Sequence, residues 1–256
     1  MRATACTAPS NMIEDETAIE PAHPDERRSG DAVAPAHLSA DVTALLDVLA
    51  GGGVAIAPLD VAYAILAATP QGIRRIFDAK QRSYDKPSGM FANHEISAAL
   101  HILPDDRHAM VSEMVEAVGL PFSVVAPFRE EHPFLAKVDP FVLQSSSKAG
   151  TLDMLLNAGQ MHDEIARQAW ARQMPVFGSS ANLPLSGSKS RLEDVDERVR
   201  AAADIGFDYG LSQYANHQGR SSTIIDFRDF SVIRVGVRFG QLRQAFMDRF
   251  DVTLRT

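Results

Sequence analysis

Apolar residues run along this chain in two rhythms. Short unbroken runs occur at "VAIAP" (54–58), "AILAA" (64–68), "SGMFA" (88–92), "FSVVAPF" (122–128), "MPVFGSS" (174–180), "STIIDF" (222–227) and "SVIRVGV" (231–237). Their length and apolar content predict buried strands. Elsewhere apolar positions recur every three or four residues. This predicts a helix from about 39, over 70–80, 105–118, 161–173 and 190–202, and along "RFGQLRQAFMDRF" near the end. In the first, Ser39 or Asp41 is placed to cap, Leu45, Leu46 and Leu49 form the inward stripe, and Gly51 stops the helix. Strands mixed with helices imply an α/β sheet. The stretch "PFLAKVDPFVLQSSSKAGTLDM" (133–154) fits neither rhythm and reads as a mobile loop over a site.

No repeat and no Gly/Ser/Pro-rich internal linker interrupts the pattern, so one domain is expected over 39–250. Residues 1–38 differ. They hold seven acids against three arginines and are rich in Ala, Pro, Ser and Thr, a composition that cannot offset the entropy of ordering. A disordered acidic leader is expected there. The net charge of -8 argues against a protein that coats nucleic acid nonspecifically. The single cysteine, Cys6, leaves no disulfide or thiolate cluster to hold the fold, and no metal-ligand spacing is present. The chain lacks an apolar run near the roughly 20 residues of a membrane span and has no signal-peptide core, so a cytoplasmic protein without a membrane partner is expected.

Common catalytic signatures are missing. "GSSANLPLSGSKS" has the wrong spacing for a phosphate-binding P-loop and inserts Ser188 between Gly187 and Lys189, and there is no GxGxxG, HExxH or GxSxG. Among the scattered histidines, His94, His162 and His217 are weak candidates. Three groups remain. In "KQRSYDKPSG" (80–89), Lys80 follows a helix capped by Thr69, begun by Pro70 and faced by Ile73, Ile76 and Phe77. Seven residues after Ile73, Lys80 falls on the same inward face. It either seeks a cleft or, with Arg82, complements the helix dipole and snorkels to water. "PVFGSSANLPLSG" runs a buried strand into Ser179, Ser180 and Asn182, which suits either an anion-binding turn or a simple strand exit. "GRSSTIIDFRDFSVIRVG" reads as a hairpin in which Arg234 either pairs with Asp226 or Asp229 or faces a phosphate.

In this order and spacing, the segments "PLDVAYAI", "KQRSYDKP", "LPFSVV", "GSSANLPLSG", "SSTIIDF" and "IRVG" resemble the motifs of the YrdC-like family, the threonylcarbamoyl-adenylate synthases, over residues 40–240. The family typically shows P-T-D/E-T-x-Y/F-G-L, K-x-R-x-x-D-K-P, G-P-x-T, S-x-S-A-N-x-S-G, P-S-T-V-V-D and L-R-x-G. The resemblance implies a twisted, open, mixed α/β sheet flanked by helices, with a concave positive face. It implies a nucleotidyltransferase that joins threonine and bicarbonate as a carbamate to the α-phosphate of ATP, with Mg2+ on the phosphates. The product serves threonylcarbamoyladenosine modification of transfer RNA. On this basis Lys80, Arg82 and Lys86 bracket the triphosphate, the first two as catalytic residues, with Arg234 as a further cation. Ser123, Ser180, Asn182, Ser188 and the backbone at Gly178 seat the nucleotide. Leu59, Tyr63 and Ser222 lie at the amino-acid end. ATP, bicarbonate and a small amino acid are the expected partners, with transfer RNA or another RNA beyond them. Departures gather at the acceptor end: Leu59 and Val61 replace two threonines, Ala64 a glycine, and Ala158 falls by distance where an arginine is usual. Another acceptor, or a noncatalytic nucleotide- or RNA-binding member of the family, is the alternative.

Overall fold

The computed structural model describes residues 35–83 and 86–256. Residues 1–34 of the expected leader lie outside them. Eight α-helices are described: α1 (Pro35–Ala50), α2 (Pro70–Lys80), α3 (His94–Leu100), α4 (Asp105–Glu113), α5 (Pro140–Gln144), α6 (Gln160–Ala171), α7 (Glu197–Ala201) and α8 (Phe239–Phe250). The strands are β1 (Ala55–Ala57), β2 (Ala64–Ala67), β3 (Gly89–Phe91), β4 (Phe122–Pro127), β5 (Ser147–Lys148), β6 (Thr151–Leu156), β7 (Phe177–Ser180), β8 (Ile205–Gly206), β9 (Thr223–Asp226) and β10 (Ser231–Arg234). They form one mixed sheet in the order β10-β9-β4-β6-β3-β7-β2-β1-β8, with β5 beside β6. β1/β8, β3/β6 and β4/β9 pair in parallel, and the other neighbours are antiparallel.

The sheet is buried by alternation. Along β2, Ile65 and Ala67 join a cluster with Ile73, Ile76 and Phe77 of α2, Ile96 and Leu100 of α3 and Phe246 of α8. Ala64 and Leu66 join the opposite cluster, with Leu45, Leu46 and Leu49 of α1 and Met161, Ile165 and Ala169 of α6. Each of these large side chains contributes roughly 1.5–3 kcal/mol by leaving water. The α1/α6 layer reaches only part of its face: its core cluster draws on β1, β2 and β3 and takes nothing from β4, β9 or β10. That half of the sheet is left for other uses.

Several expectations change. α1 is already helical at Pro35, so Ser39 and Asp41 lie within it and cap nothing. Instead the Ser39 carbonyl accepts from Gln168 Nε2 at 2.9 Å and the Asp41 carboxylate from the Tyr209 hydroxyl at 2.5 Å. The supposed loop over 133–154 holds α5, β5 and the start of β6, which is central in the sheet. The helix expected over 190–202 shrinks to α7, because the Asp196 side chain accepts from Arg198 N and starts the helix late. The expected 105–118 helix ends as a π-helical turn, Met114–Val118. The folded body passes residue 250: Leu254 is buried and Arg255 bridges to Ser231. Among the described residues, no helix is long and apolar enough to cross a membrane.

Candidate active site

Register across the sheet builds the site. One row of paired residues runs Phe91, Leu155, Ser123, Ile224, Arg234. A second, two residues along, runs Asp153, Val125, Asp226. Paired residues share a face, and this is the face that α1 and α6 leave uncovered beyond β3. On the other side of Phe91 the floor continues through Gly89, Gly178, Ser180 and Ala64. A Cβ at Gly178 would lie 2.6 Å from the Ile65 carbonyl oxygen and 3.1 Å from the Phe91 ring, so no larger residue fits there. The two adjacent glycines leave a depression of about 110 Å³. Its β1–β2 wall is apolar, made of Leu59, Val61, Ala62 and Tyr63, and its far wall carries Ser123, Ser222 and Arg234. A larger groove of about 440 Å³ shares Arg82 and Pro87 with it and continues along Val125, Asp153, Ile224 and Ile233, with Lys86, Lys148 and Arg228 at its sides.

Of the residues proposed from sequence, Leu59, Tyr63, Arg82, Ser123, Gly178, Ser180, Ser222 and Arg234 line the depression. The basic triad is divided. Lys80 ends α2 facing inward, as its spacing from Ile73 requires, and is only 3% exposed. It does not snorkel: Nζ donates to Ser179 Oγ at 3.0 Å and to the Ser180 carbonyl. Burial, with Arg82 adding to it, pushes the ammonium down to about 7. Lys80 thus braces the serine turn, while Arg82 reaches the depression. Gln81, at φ 51°, ends the helix and turns the chain. Arg82 Nε then donates to the Lys86 carbonyl at 2.9 Å and Nη2 to the Pro87 carbonyl at 2.7 Å, which fixes the guanidinium. Lys86 lines the groove only. Asn182 accepts from the Ser180 hydroxyl and orients it without lining the depression. Ser188 lies apart from it, with its N–H on the Gly219 carbonyl at 2.8 Å.

Arg234 is not consumed by its hairpin. Asp226 pairs with Arg228 and Asp229 with Arg255, each at 2.7 Å. A register shift between Val232 and Arg234 turns the arginine toward β9, where Nε and Nη2 donate to the Ser222 carbonyl at 3.0 and 2.8 Å. Nη2 also reaches Ser222 Oγ at 3.0 Å. Tyr63 contributes its ring alone, because its hydroxyl lies 2.8 Å from both Asp208 Oδ1 and the Gly210 carbonyl. Burial and then Asp208 raise that phenol above its ordinary value.

Asp153 was missed in the sequence. Burial raises its carboxyl, opposed by Arg234, the Ser123 hydroxyl and Arg82 in that order. Its Oδ1 is buried without a hydrogen-bond partner among the described residues. The available signal was a single acid alternating with apolar residues in "TLDMLL". Ala158, set by distance opposite a family arginine, is buried in the α1/α6 cluster; the β6 side chain that does face the depression is Leu155. His162 is buried with its ring 5.2 Å from that of Phe91, and neither it nor His94 or His217 lines the depression. Among the described residues no group of three or more His, Cys, Asp or Glu side chains is placed to hold a metal ion.

Two backbone-anchored guanidiniums line this depression together with serine hydroxyls, groups whose chemistry suits an oxyanion. Solved structures share the fold. A hypothetical protein, smu.1377c, from Streptococcus mutans UA159 matches with a TM-score of 0.68 at 20% identity, over 80% of this chain and 90% of that one. P. abyssi Sua5 complexed with L-threonine matches at 0.60 and 19% identity over 77% of this chain, which spans 54% of the Sua5 length. E. coli YciO matches at 0.54 and 17% identity over 78% of this chain and 89% of its own. No curated protein matches the chain. The family model Sua5/YciO/YrdC, described as "Telomere recombination", matches residues 47–236, most of the described body, and the chain belongs to that family.

Proposed function

We propose that the protein is an adenylate-forming nucleotidyltransferase of the threonylcarbamoyl-adenylate synthase kind, which joins ATP, bicarbonate and a small amino acid into a carbamoyl-adenylate. The observation that carries this reading is the pair Arg82 and Arg234, each tied to backbone carbonyls and both lining one serine-rich depression. Attack by a carbamate oxygen on the α-phosphate forms one P–O bond and breaks another, releasing pyrophosphate. Nucleophile and leaving group are both oxyanions. No side-chain nucleophile is needed, and the protein's work is alignment and neutralisation of charge. In this reading the α-phosphate lies between the two arginines. The rest of the nucleotide follows the groove past Pro87, where Lys86 and Lys148 meet negative charge and Val125, Ile224 and Ile233 offer apolar surface. On the β1–β2 side the amine, its proton lost to solvent, forms an N–C bond with bicarbonate as a C–O bond breaks and water leaves, giving the carbamate.

Mg2+ suits this arrangement as a passenger of the nucleotide. The described residues offer it no three-carboxylate cage, and Mg2+ typically binds through phosphates with one or two carboxylates. When bound it neutralises phosphate charge. Isotope exchange between ATP and pyrophosphate tests the proposal. Exchange that requires both bicarbonate and an amino acid supports it; ATP binding without exchange for any amino acid favours the alternative of a noncatalytic nucleotide- or RNA-binding protein.

A further inference from the structure

We infer that the acceptor subsite is built for a compact branched aliphatic amino acid of valine's shape, in preference to its hydroxylated isostere threonine, with Leu59 and Val61 as the residues that set the choice. The inference rests on the functional reading above.

With phosphates placed between Arg82 and Arg234 and the nucleotide directed along the groove, the space left is the β1–β2 side of the depression. Every side chain there is hydrocarbon or has its polar atom turned away. Leu59, Val61 and Ala62 line it, are each 2% exposed and carry hydrocarbon side chains. The Tyr63 hydroxyl is held by Asp208 and Gly210, so only its ring faces the space. Phe91 and Leu155 complete the apolar boundary. The hydroxyls near this wall use part of their hydrogen-bonding capacity on the protein. Ser179 Oγ accepts from Lys80, Ser180 donates to Asn182, Ser222 Oγ accepts from Arg234, and Ser123 lies within 3.5 Å of Ser222. A hydroxyl turned against the Leu59 and Val61 side chains would lose its water and gain no donor or acceptor from them, whereas a methyl of the same volume would gain contact. The depression, at about 110 Å³, also limits the side chain to a compact one.

An apolar pocket rejects an isosteric hydroxyl only weakly, by up to about 10²-fold, which sets the size of the effect. The test is calorimetric titration of L-valine and of L-threonine into the full chain holding α,β-methylene-ATP, Mg2+ and bicarbonate. Val61→Thr is measured in parallel, since it preserves side-chain shape and restores a hydroxyl to the wall. Valine is expected to bind about 10- to 100-fold more tightly than threonine, and folded Val61→Thr is expected to narrow that ratio at least several-fold. Equal or tighter binding of threonine overturns the inference, as does failure of both amino acids to bind. So does a ratio left unchanged in folded Val61→Thr. If that variant does not fold, the wild-type ratio decides. The exchange assay separates the two levels. Valine binding without exchange would sink the enzymatic reading and leave the subsite as inferred, while exchange that prefers threonine would sink the subsite and leave the enzyme.

Discussion

The two walls of the depression are built in opposite ways: Leu59, Val61, Ala62 and Tyr63 are buried, whereas Arg82 is half-buried and Arg234 exposed. On the β1–β2 side, polar atoms are drawn off into the scaffold, as when Tyr63 spends its hydroxyl on Asp208 and Gly210. On the β4–β9–β10 side, charged groups are anchored by part of their hydrogen-bonding capacity. Arg234 is fixed through Nε and Nη2 to Ser222, and Arg82 through Nε and Nη2 to Lys86 and Pro87, which leaves Nη1 of each without a role in those bonds. Backbone anchoring aims a cation without neutralising it. The contrast shows how a single sheet face can carry both an apolar and a cationic site: the change from Phe91 and Leu155 to Ser123 and Arg234 occurs along one cross-strand row.

The strongest way to break this contrast is to remove a cation. Arg82→Ala is expected to lower exchange by about 10²- to 10³-fold, the loss typical of a preorganised charge-stabilising donor, with the fold intact by circular dichroism. Next in size is a change on the apolar wall. Tyr63→Phe strips the hydroxyl from Asp208 and Gly210 and should lower stability to urea by about 1–3 kcal/mol, while ATP affinity stays within error. A fall in ATP affinity there would show that the two walls are not separable. Asp153→Asn sharpens the polar side: it removes a carboxylate opposed by Arg234 and Arg82. ATP should then bind about tenfold more tightly at low salt, with the gain shrinking as salt screens it.

A separate effect, on stability alone, concerns Lys80. Its folded value of about 7 lies below the ordinary lysine range, so between the two the unfolded chain holds a proton that the folded chain lacks. Stability of the ligand-free protein should rise with pH across that window. In Lys80→Met the rise should disappear, read as the urea midpoint against pH. A rise of equal slope in the variant would place the titration elsewhere.

Much of this was legible in the sequence where local rules and tertiary packing agree. Thr69 and Pro70 begin α2, with Thr69 accepting from Gly72 N, and the seven-residue step from Ile73 put Lys80 inside. What the sequence hid was set by partners far along the chain. β6 looked irregular because Asp153 breaks its apolar run, yet that residue belongs there only because Arg82 and Arg234 arrive from distant segments. The residues over 190–196 keep a helical spacing of Leu192 and Val195, but Asp196 caps a later start. The triad of Lys80, Arg82 and Lys86 looked like one clamp in sequence. The left-handed turn at Gln81 distributes it among a brace, the depression and the groove.

The most direct test of the central claim is the fate of bicarbonate carbon. Protein, ATP, Mg2+, L-valine or L-threonine and carbon-labelled bicarbonate are incubated with pyrophosphatase, and the nucleotide products are read by mass spectrometry. The account expects an adenylate that contains both the amino acid and the labelled carbon, in amounts that fall sharply with Arg82→Ala. An aminoacyl-adenylate without label, or ATP recovered unchanged from a protein that binds it, would contradict it.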